Sequence, residues 1–146
     1  MFGMLQNSVT FAPWIYHNTR RGVYPVLNFY FMLHKSLFST VAAIAAANPA
    51  GFTYNVQTGS FPSSGYVVAC KETQNSFNAE GLQAVLQFIS ETPAVSCVGG
   101  WLDTESGLYY FDASYIVEDL ETAKSLGIAN GQIAIFNLNT LEEIRL

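Results

Sequence analysis

The sequence predicts an α+β domain with a ferredoxin-like β-α-β-β-α-β core over residues 65–138. Three observations support this fold class. Half of the 146 residues are hydrophobic and only 12% are charged, which is enough apolar material for one well-buried core. Strand-like runs alternate with segments of helical periodicity in the order of the split βαβ motif. A stretch of turn-forming residues between two of these strands predicts a β-hairpin.

The N-terminal part of the chain shows no persistent periodicity. Residues 1–35 are dense in aromatic side chains and are interrupted by Pro13 and Pro25. We therefore predict an irregular or partly helical, aromatic-rich arm over residues 1–35. Residues 36–146 are predicted to form a single α+β domain.

A helix and a strand extend the core on its N-terminal side. Ser36 resembles an N-cap, and the apolar spacing after it predicts a helix as far as Ala47. The Asn48-Pro49 pair should end that helix. Residues 52–56 alternate bulky apolar with polar side chains, which predicts a half-buried strand.

The first half of the core is predicted from an apolar run and an amphipathic segment. The run from Tyr66 to Cys70 suits a central strand buried on both faces. Ser76 or Asn78 could cap the helix that follows. Apolar residues then recur at i, i+3, i+4 and i+7, at positions Leu82, Val85, Leu86 and Ile89.

The second half of the core begins with a strand over residues 95–101. Residues 103–107 have turn composition, so residues 108–115 should return as the second strand of a hairpin, with Asp112 on its outward face. Asp119 is a candidate N-cap for the second core helix, which Asn130-Gly131 should end. Residues 132–138 form the last predicted strand. Five side chains are expected in the core: Leu82, Leu86, Phe111, Ile133 and Ile135.

Charge is distributed unevenly along the chain. Residues 1–50 hold three basic and no acidic residues, whereas residues 51–146 hold three basic and eleven acidic residues and carry a net charge of −8. An acidic domain disfavours a broad phosphate-binding surface, so we expect no direct binding of nucleic acid. The acidic charge instead favours a basic protein as partner.

Hydropathy and cysteine usage predict a cytoplasmic protein. The apolar runs 23–33 and 37–47 are each shorter than the ~20 residues of a spanning helix and are separated by Lys35, so no membrane span is expected. A secretory signal that starts at Met32 is a less favoured alternative. Cys70 and Cys97 lie in apolar runs, which is typical of reduced core thiols.

Motifs for catalysis are missing. The glycines form no phosphate-binding loop, and the two histidines, His17 and His34, approach no metal-site spacing. We therefore predict no catalytic residues, no metal, no cofactor and no enzyme activity. A carboxylate-dependent enzyme using Glu72, Asp103 or Asp112 is a less favoured alternative, because turns and strand surfaces explain such residues equally well.

Two groups of residues are candidate binding sites. The first is the polar segment between the first core strand and the following helix, where N–H groups could hold a small ligand or a nucleotide: Lys71, Glu72, Thr73, Gln74, Asn75 and Ser76. The second lies on the hairpin and combines aromatic anchors with acids, as a protein-binding surface does: Trp101, Asp103, Glu105 and Tyr110.

Several segments carry a resemblance to a known group of proteins: Gly65-Tyr66-Val67-Val68-Ala69, Glu72-Thr73-Gln74-Asn75-Ser76-Phe77, Gly99-Gly100-Trp101, Tyr109-Tyr110-Phe111-Asp112 and Asn130 to Phe136. Over about residues 40–146 the chain resembles small accessory proteins encoded by phages and mobile elements of gut bacteria. The resemblance implies an anti-CRISPR-like or other anti-defence inhibitor that contacts a basic host defence protein in the bacterial cytoplasm. The alternative is a protein that sequesters a small ligand or nucleotide. A homodimer is left open.

Overall fold

The computed structural model describes the backbone of residues 24–146 and the side chains of residues 32–146. The chain divides into two compact units, residues 1–39 and residues 40–146. The whole sheet lies in the second unit. Most of the predicted arm, residues 1–23, lies outside the described residues.

The described chain contains three α-helices and seven β-strands, which confirms the α+β class. In chain order they are α1 (Tyr24–Ala47), β1 (Phe52–Asn55), β2 (Tyr66–Ala69), β3 (Ser76–Phe77), α2 (Asn78–Glu91), β4 (Cys97–Leu102), β5 (Tyr109–Val117), α3 (Leu120–Ala129), β6 (Ala134–Asn137) and β7 (Glu142–Arg145). A single 3₁₀ turn, Lys71–Thr73, follows β2.

The strands form one antiparallel sheet in the order β1-β4-β5-β2-β6-β7. The short strand β3 pairs with β5 along the same edge of β5 as β2 does. The nine-residue strand β5 is thus the centre of the sheet. The four strands predicted for the core lie side by side as β4-β5-β2-β6. The ferredoxin-like arrangement itself stays a prediction, because β1, β3 and β7 add three further strands to this sheet.

Strand register separates the two faces of the sheet, since cross-strand partners point to the same side and successive residues to opposite sides. Ala113 lies opposite Val98, and Val68 lies opposite Tyr115, so these residues share one face with Phe111. We call this the core face. Val68 packs there with Ala123 of α3 and Ile135 of β6. Helix α2 buries its predicted stripe of Leu82, Val85, Leu86 and Ile89.

Several sequence predictions need correction. Helix α1 begins at Tyr24 rather than at Ser36, since Pro25 falls in the first turn, where the N–H groups have no intrahelical partner. Ile133 is 74% exposed because it precedes β6 and lies in the connection from α3. Strand β2 is half-buried instead of buried on both faces. The predicted caps Ser76 and Asn78 do not cap α2.

The start of α2 differs from the prediction because a strand that was not predicted precedes it. Ser76 pairs with Phe111 in β3, and Phe77 occupies the N-cap position without a side-chain hydrogen bond. Asn78 has a φ of 57°, a left-handed conformation that asparagine tolerates better than most residues. The chain therefore turns sharply from β3 into the helix. Strand β7 was also missed, because Glu142–Arg145 is short and mostly charged.

The predicted cap of α3 is confirmed and supports a stability prediction. Asp119 Oδ2 accepts hydrogen bonds from the Thr122 backbone N–H at 2.8 Å and from the Thr122 hydroxyl at 2.7 Å. We expect Asp119→Ala to lower the free energy of unfolding and therefore the midpoint of urea denaturation. The neighbouring exposed Glu118 makes no such bond, so Glu118→Ala should have little effect. Equal effects of the two changes would contradict this role.

Within residues 24–146, no helix carries an apolar stretch long enough to span a bilayer.

Candidate binding site

Three aromatic side chains form a row on the face of the sheet opposite the core face. Phe77 of β3 lies beside Tyr110 of β5, and Tyr110 lies beside Trp101 of β4. The Trp101 and Tyr110 rings stack with centroids 5.1 Å apart, and the Tyr110 and Phe77 rings meet edge to face at 5.8 Å. Trp101 is 46% exposed and Phe77 is 37% exposed. We call Phe77, Tyr110 and Trp101 the aromatic row.

A pocket of about 120 Å³ lies next to the aromatic row, at the edge of β5 between β3 and β2. Trp101 and Tyr110 line one side of it. The chain after β2 contributes Gln74 and Asn75, and the connection into β6 contributes Gln132. The remaining lining residues are Ala69, Cys70, Thr73, Phe111 and Asp112.

Asp112 lies in this pocket on the same face of β5 as Tyr110. Its cross-strand partner is Gly99, and a Cβ atom on Gly99 would lie 2.9 Å from Asp112 Oδ1. The missing side chain of Gly99 therefore makes room for the carboxyl group. The Ser114 hydroxyl donates a hydrogen bond to Asp112 Oδ1. No basic residue of the described chain forms an ion pair with Asp112.

The environment of Asp112 differs from that of an ordinary outward-facing strand residue. The side chain is half-buried, and its neighbour Ser114 on the same face is fully buried. Burial raises the pKa of Asp112, and the hydrogen bond from Ser114 opposes this only in part. The site thus holds a carboxyl group whose charge is poorly solvated and has no cationic partner.

The two cysteines are buried free thiols of low reactivity. Burial raises the pKa of Cys70 to about 12, and the negative charge of Glu72 acts in the same direction. Burial also raises the pKa of Cys97. Because the thiolate is the nucleophilic form, neither side chain is suited to nucleophilic catalysis near neutral pH.

The residues of the predicted ligand-binding segment, residues 71–76, have different roles in the structure. The Thr73 hydroxyl accepts a hydrogen bond from Ala113 N at 3.0 Å and donates one to Cys70 O at 3.4 Å, so Thr73 satisfies the β5 backbone between β3 and β2. Gln74 and Asn75 line the pocket, whereas Ser76 belongs to β3. Lys71 and Glu72 are exposed and lie outside the pocket lining.

The predicted protein-binding residues lie together on one hairpin. Trp101 and Tyr110 stack across its two strands. Asp103 begins the connecting loop and accepts hydrogen bonds from the Glu105 and Ser106 N–H groups and from the Ser106 hydroxyl. These bonds lower the pKa of Asp103, with the Ser106 hydroxyl as the largest cause. Glu105 is exposed in the same loop.

Sequence reasoning assigned neither Phe77 nor Gln132 to a site, and it considered Asp112 only as an outward-facing strand residue or as a carboxylate of a less favoured enzyme. Phe77 lies between the two predicted caps of α2, and Gln132 begins the last predicted strand. One signal was present in the sequence: the pair Gly99-Gly100 within a strand marks a place where neighbouring groups approach closely. A Cβ on Gly100 would contact the rings of Phe52 and Tyr109, as one on Gly99 would contact Asp112.

Asp112 should make stability depend on pH in a specific direction. Because its pKa is raised in the folded state, its contribution to stability is present below the ordinary pKa of 3.8 and is lost as the pH rises through the folded pKa. As the pH rises from the ordinary pKa to the raised pKa, Asp112→Asn should therefore become progressively more stable than wild type. The difference should grow by about 1.4 kcal/mol for each pH unit in this window. Urea denaturation at pH 4 to 8 measures this difference.

Asp103→Asn is the matched control for the pH experiment. The pKa of Asp103 is lowered, so its contribution is present above 3.8 and is lost as the pH falls through the folded pKa. Because the Asp103 window lies below 3.8, Asp103→Asn should show little pH trend relative to wild type between pH 4 and 8, in contrast to Asp112→Asn. A parallel trend for both would contradict the assigned environment of Asp112.

Among the described residues, no three His, Cys, Asp or Glu side chains are grouped closely enough to hold a metal ion. No protein-family model, curated protein or solved structure matches this chain, so the geometry and chemistry of these residues carry the functional argument.

Proposed function

We propose that the chain is a non-catalytic binding protein that holds a protein partner against the aromatic row. The single observation that carries this proposal is that Tyr110 contacts two exposed aromatic rings, Trp101 and Phe77, on one face of the sheet. Tyr and Trp dominate the energetic centres of protein interfaces, because each buries a large rigid surface at little cost in conformational entropy.

Charge favours a basic partner. Residues 51–146 carry a net charge of −8, and the acidic residues Asp103 and Glu105 lie in the loop that adjoins Trp101. Complementary charge accelerates encounter and selects among partners, while the aromatic anchors supply most of the affinity. Together with the resemblance to phage accessory proteins, this supports inhibition of a host defence nuclease by occupation of its basic surface.

The non-catalytic part of the proposal is supported by the side chains near the pocket. Both thiols have raised pKa values and are therefore protonated at neutral pH. Asp112 accepts its one side-chain hydrogen bond from Ser114, and no ion pair orients it as a general base. Such an arrangement is better suited to binding than to turnover.

A second candidate function, sequestration of a small ligand, is favoured by the pocket itself. Gln74 and Asn75 come from the segment predicted for ligand binding. A nucleotide is disfavoured, since Lys71 lies outside the lining and Asp112 would repel a phosphate group. This candidate predicts that a small molecule stabilises the protein against heat without any captured protein.

Quantitative affinity capture from a lysate of bacteria that carry a CRISPR nuclease tests the proposal. Wild-type bait should enrich a basic protein, and Trp101→Ala bait should lose most of it. Ile128→Ala is the matched control, because Ile128 is also a large exposed apolar residue but lies on α3. Equal enrichment by all three baits, or a nucleotide-induced melting shift that Lys71→Ala abolishes with no protein captured, would contradict the proposal.

A further inference from the structure

The polar groups around the pocket include several hydrogen-bond acceptors. Gln74 Nε2 donates to Asn130 O at 3.5 Å, and Gln132 Nε2 donates to the same oxygen at 3.3 Å. Each amide nitrogen thereby uses one of its two N–H groups, and the amide oxygens of both glutamines remain available as acceptors. Asn130 Nδ2 is itself held by Ala69 O at 3.0 Å, which fixes the carbonyl that both glutamines share.

Asp112 adds a carboxylate to this set of acceptors. Oδ1 receives the Ser114 hydroxyl, and the carboxyl group has no further side-chain hydrogen bond and no ion pair. Two of the described basic side chains are engaged elsewhere, Lys124 with Glu121 and Arg145 with Glu143. A half-buried carboxylate without a cationic partner is costly, and a ligand cation would offset that cost.

The rings of Trp101 and Tyr110 give the pocket an apolar wall. Aliphatic stems of cationic groups pack favourably on such walls, and aromatic rings are common neighbours of ligand cations. The volume of about 120 Å³ far exceeds what one water molecule needs, so the pocket has room for an amine with a few methylene groups.

We propose that the pocket formed by Asp112, Gln74, Gln132, Trp101 and Tyr110 is a binding site for an alkylammonium group. The three N–H donors of an ammonium ion match the carboxylate and the two amide oxygens, and the alkyl chain lies against the rings. The same chemistry belongs to a lysine side chain of a protein and to a free aliphatic amine. This site does not depend on the function proposed for the aromatic row.

Binding should strengthen as the pH rises, because burial raises the pKa of Asp112 and only the ionised carboxyl group pairs with the cation. The titratable groups near it include Cys97 of β4, Cys70 after β2 and Tyr110 of β5, and the charge of Glu72 acts on Cys70 as the charge of Asp112 does. Both thiols have raised pKa values and stay neutral between pH 5 and 8. A rise in affinity over that range would thus report on Asp112.

Titration of the full-length chain followed by NMR tests the proposal. The probes are n-butylammonium chloride with 1-butanol as its neutral counterpart, and a short peptide with one lysine beside the same peptide acetylated at Nε. We expect saturable shifts at Trp101, Asp112 and Gln132 with the charged probes and at least tenfold weaker binding by the neutral ones. Binding of the amine alone assigns the site to free amines, and binding of the lysine peptide as well assigns it to protein lysines.

Two variants make the test specific. Asp112→Asn keeps the shape of the side chain and the acceptor for Ser114, and should weaken butylammonium binding at least tenfold. Gln132→Met removes one acceptor at similar volume and should weaken it severalfold, which keeps the test valid if the first variant is unstable. The proposal is overturned if butylammonium and butanol bind alike, if Asp112→Asn binds as wild type does, or if affinity falls between pH 5 and 8.

Discussion

Truncation of Leu86 to alanine is expected to lower the free energy of unfolding by about 2–5 kcal/mol, the range typical of buried Leu→Ala changes. Leu86 is 2% exposed and belongs to the buried stripe of α2. Helix α2 packs mainly against β5, the central strand of the sheet. Removal of three side-chain carbons would therefore leave a cavity that rigid neighbours on the sheet cannot fill.

Chemical denaturation followed by circular dichroism measures the effect of Leu86→Ala. Leu33→Ala is the control, since Leu33 is also helical but is 59% exposed, and its change should stay within about 0.5 kcal/mol. If Leu86→Ala lowered the free energy of unfolding by less than about 0.5 kcal/mol, α2 would not contribute to the core as described.

Replacement of Gly81 by alanine should destabilise the domain by about 1–3 kcal/mol, although the same change in an exposed helix stabilises by roughly 1 kcal/mol. A Cβ at position 81 would lie 2.5 Å from the backbone carbon of Ser76. Backbone in the paired strand β3 cannot move aside as a flexible side chain can. Either α2 or β3 would have to shift, and a shift of β3 would also move Phe77 of the aromatic row.

Gly127→Ala is the matched control for Gly81→Ala. Gly127 is also helical and buried, and a Cβ there would lie 2.6 Å from Leu146 Cδ1 and 2.9 Å from Ile135 Cγ2. The nearest of these atoms is the end of a partly exposed side chain that can rotate, so the loss of stability should be clearly smaller. Thermal denaturation of both variants provides the comparison. A Gly81→Ala protein as stable as wild type would contradict the close approach of β3 to α2.

Much of the fold could be predicted because its elements have strong local signals. The i, i+3, i+4, i+7 spacing of Leu82 to Ile89 identified α2, and Asp119 marked the start of α3. The two-residue strand β3 has no periodicity of its own, since it exists only through pairing with β5. The charged strand β7 is likewise stabilised by its pairing with β6 rather than by its composition.

The site was predictable only where its residues are neighbours on one hairpin. Trp101 and Tyr110 belong to a hairpin that turn composition revealed, so their proximity followed from local sequence. Phe77 and Gln132 reach the same face through the pairing of β3 with β5 and through the connection into β6. Such contacts depend on strand register and order, which hydrophobic pattern alone does not specify.

The affinity of the captured partner for Trp101→Ala protein tests the central claim most directly. Calorimetry with purified partner should show at least about thirtyfold weaker binding than wild type, the effect of an anchor worth 2 kcal/mol or more. Ile128→Ala should bind as wild type does, and circular dichroism should show all three proteins folded. A folded Trp101→Ala protein that binds with wild-type affinity would contradict recognition through the aromatic row.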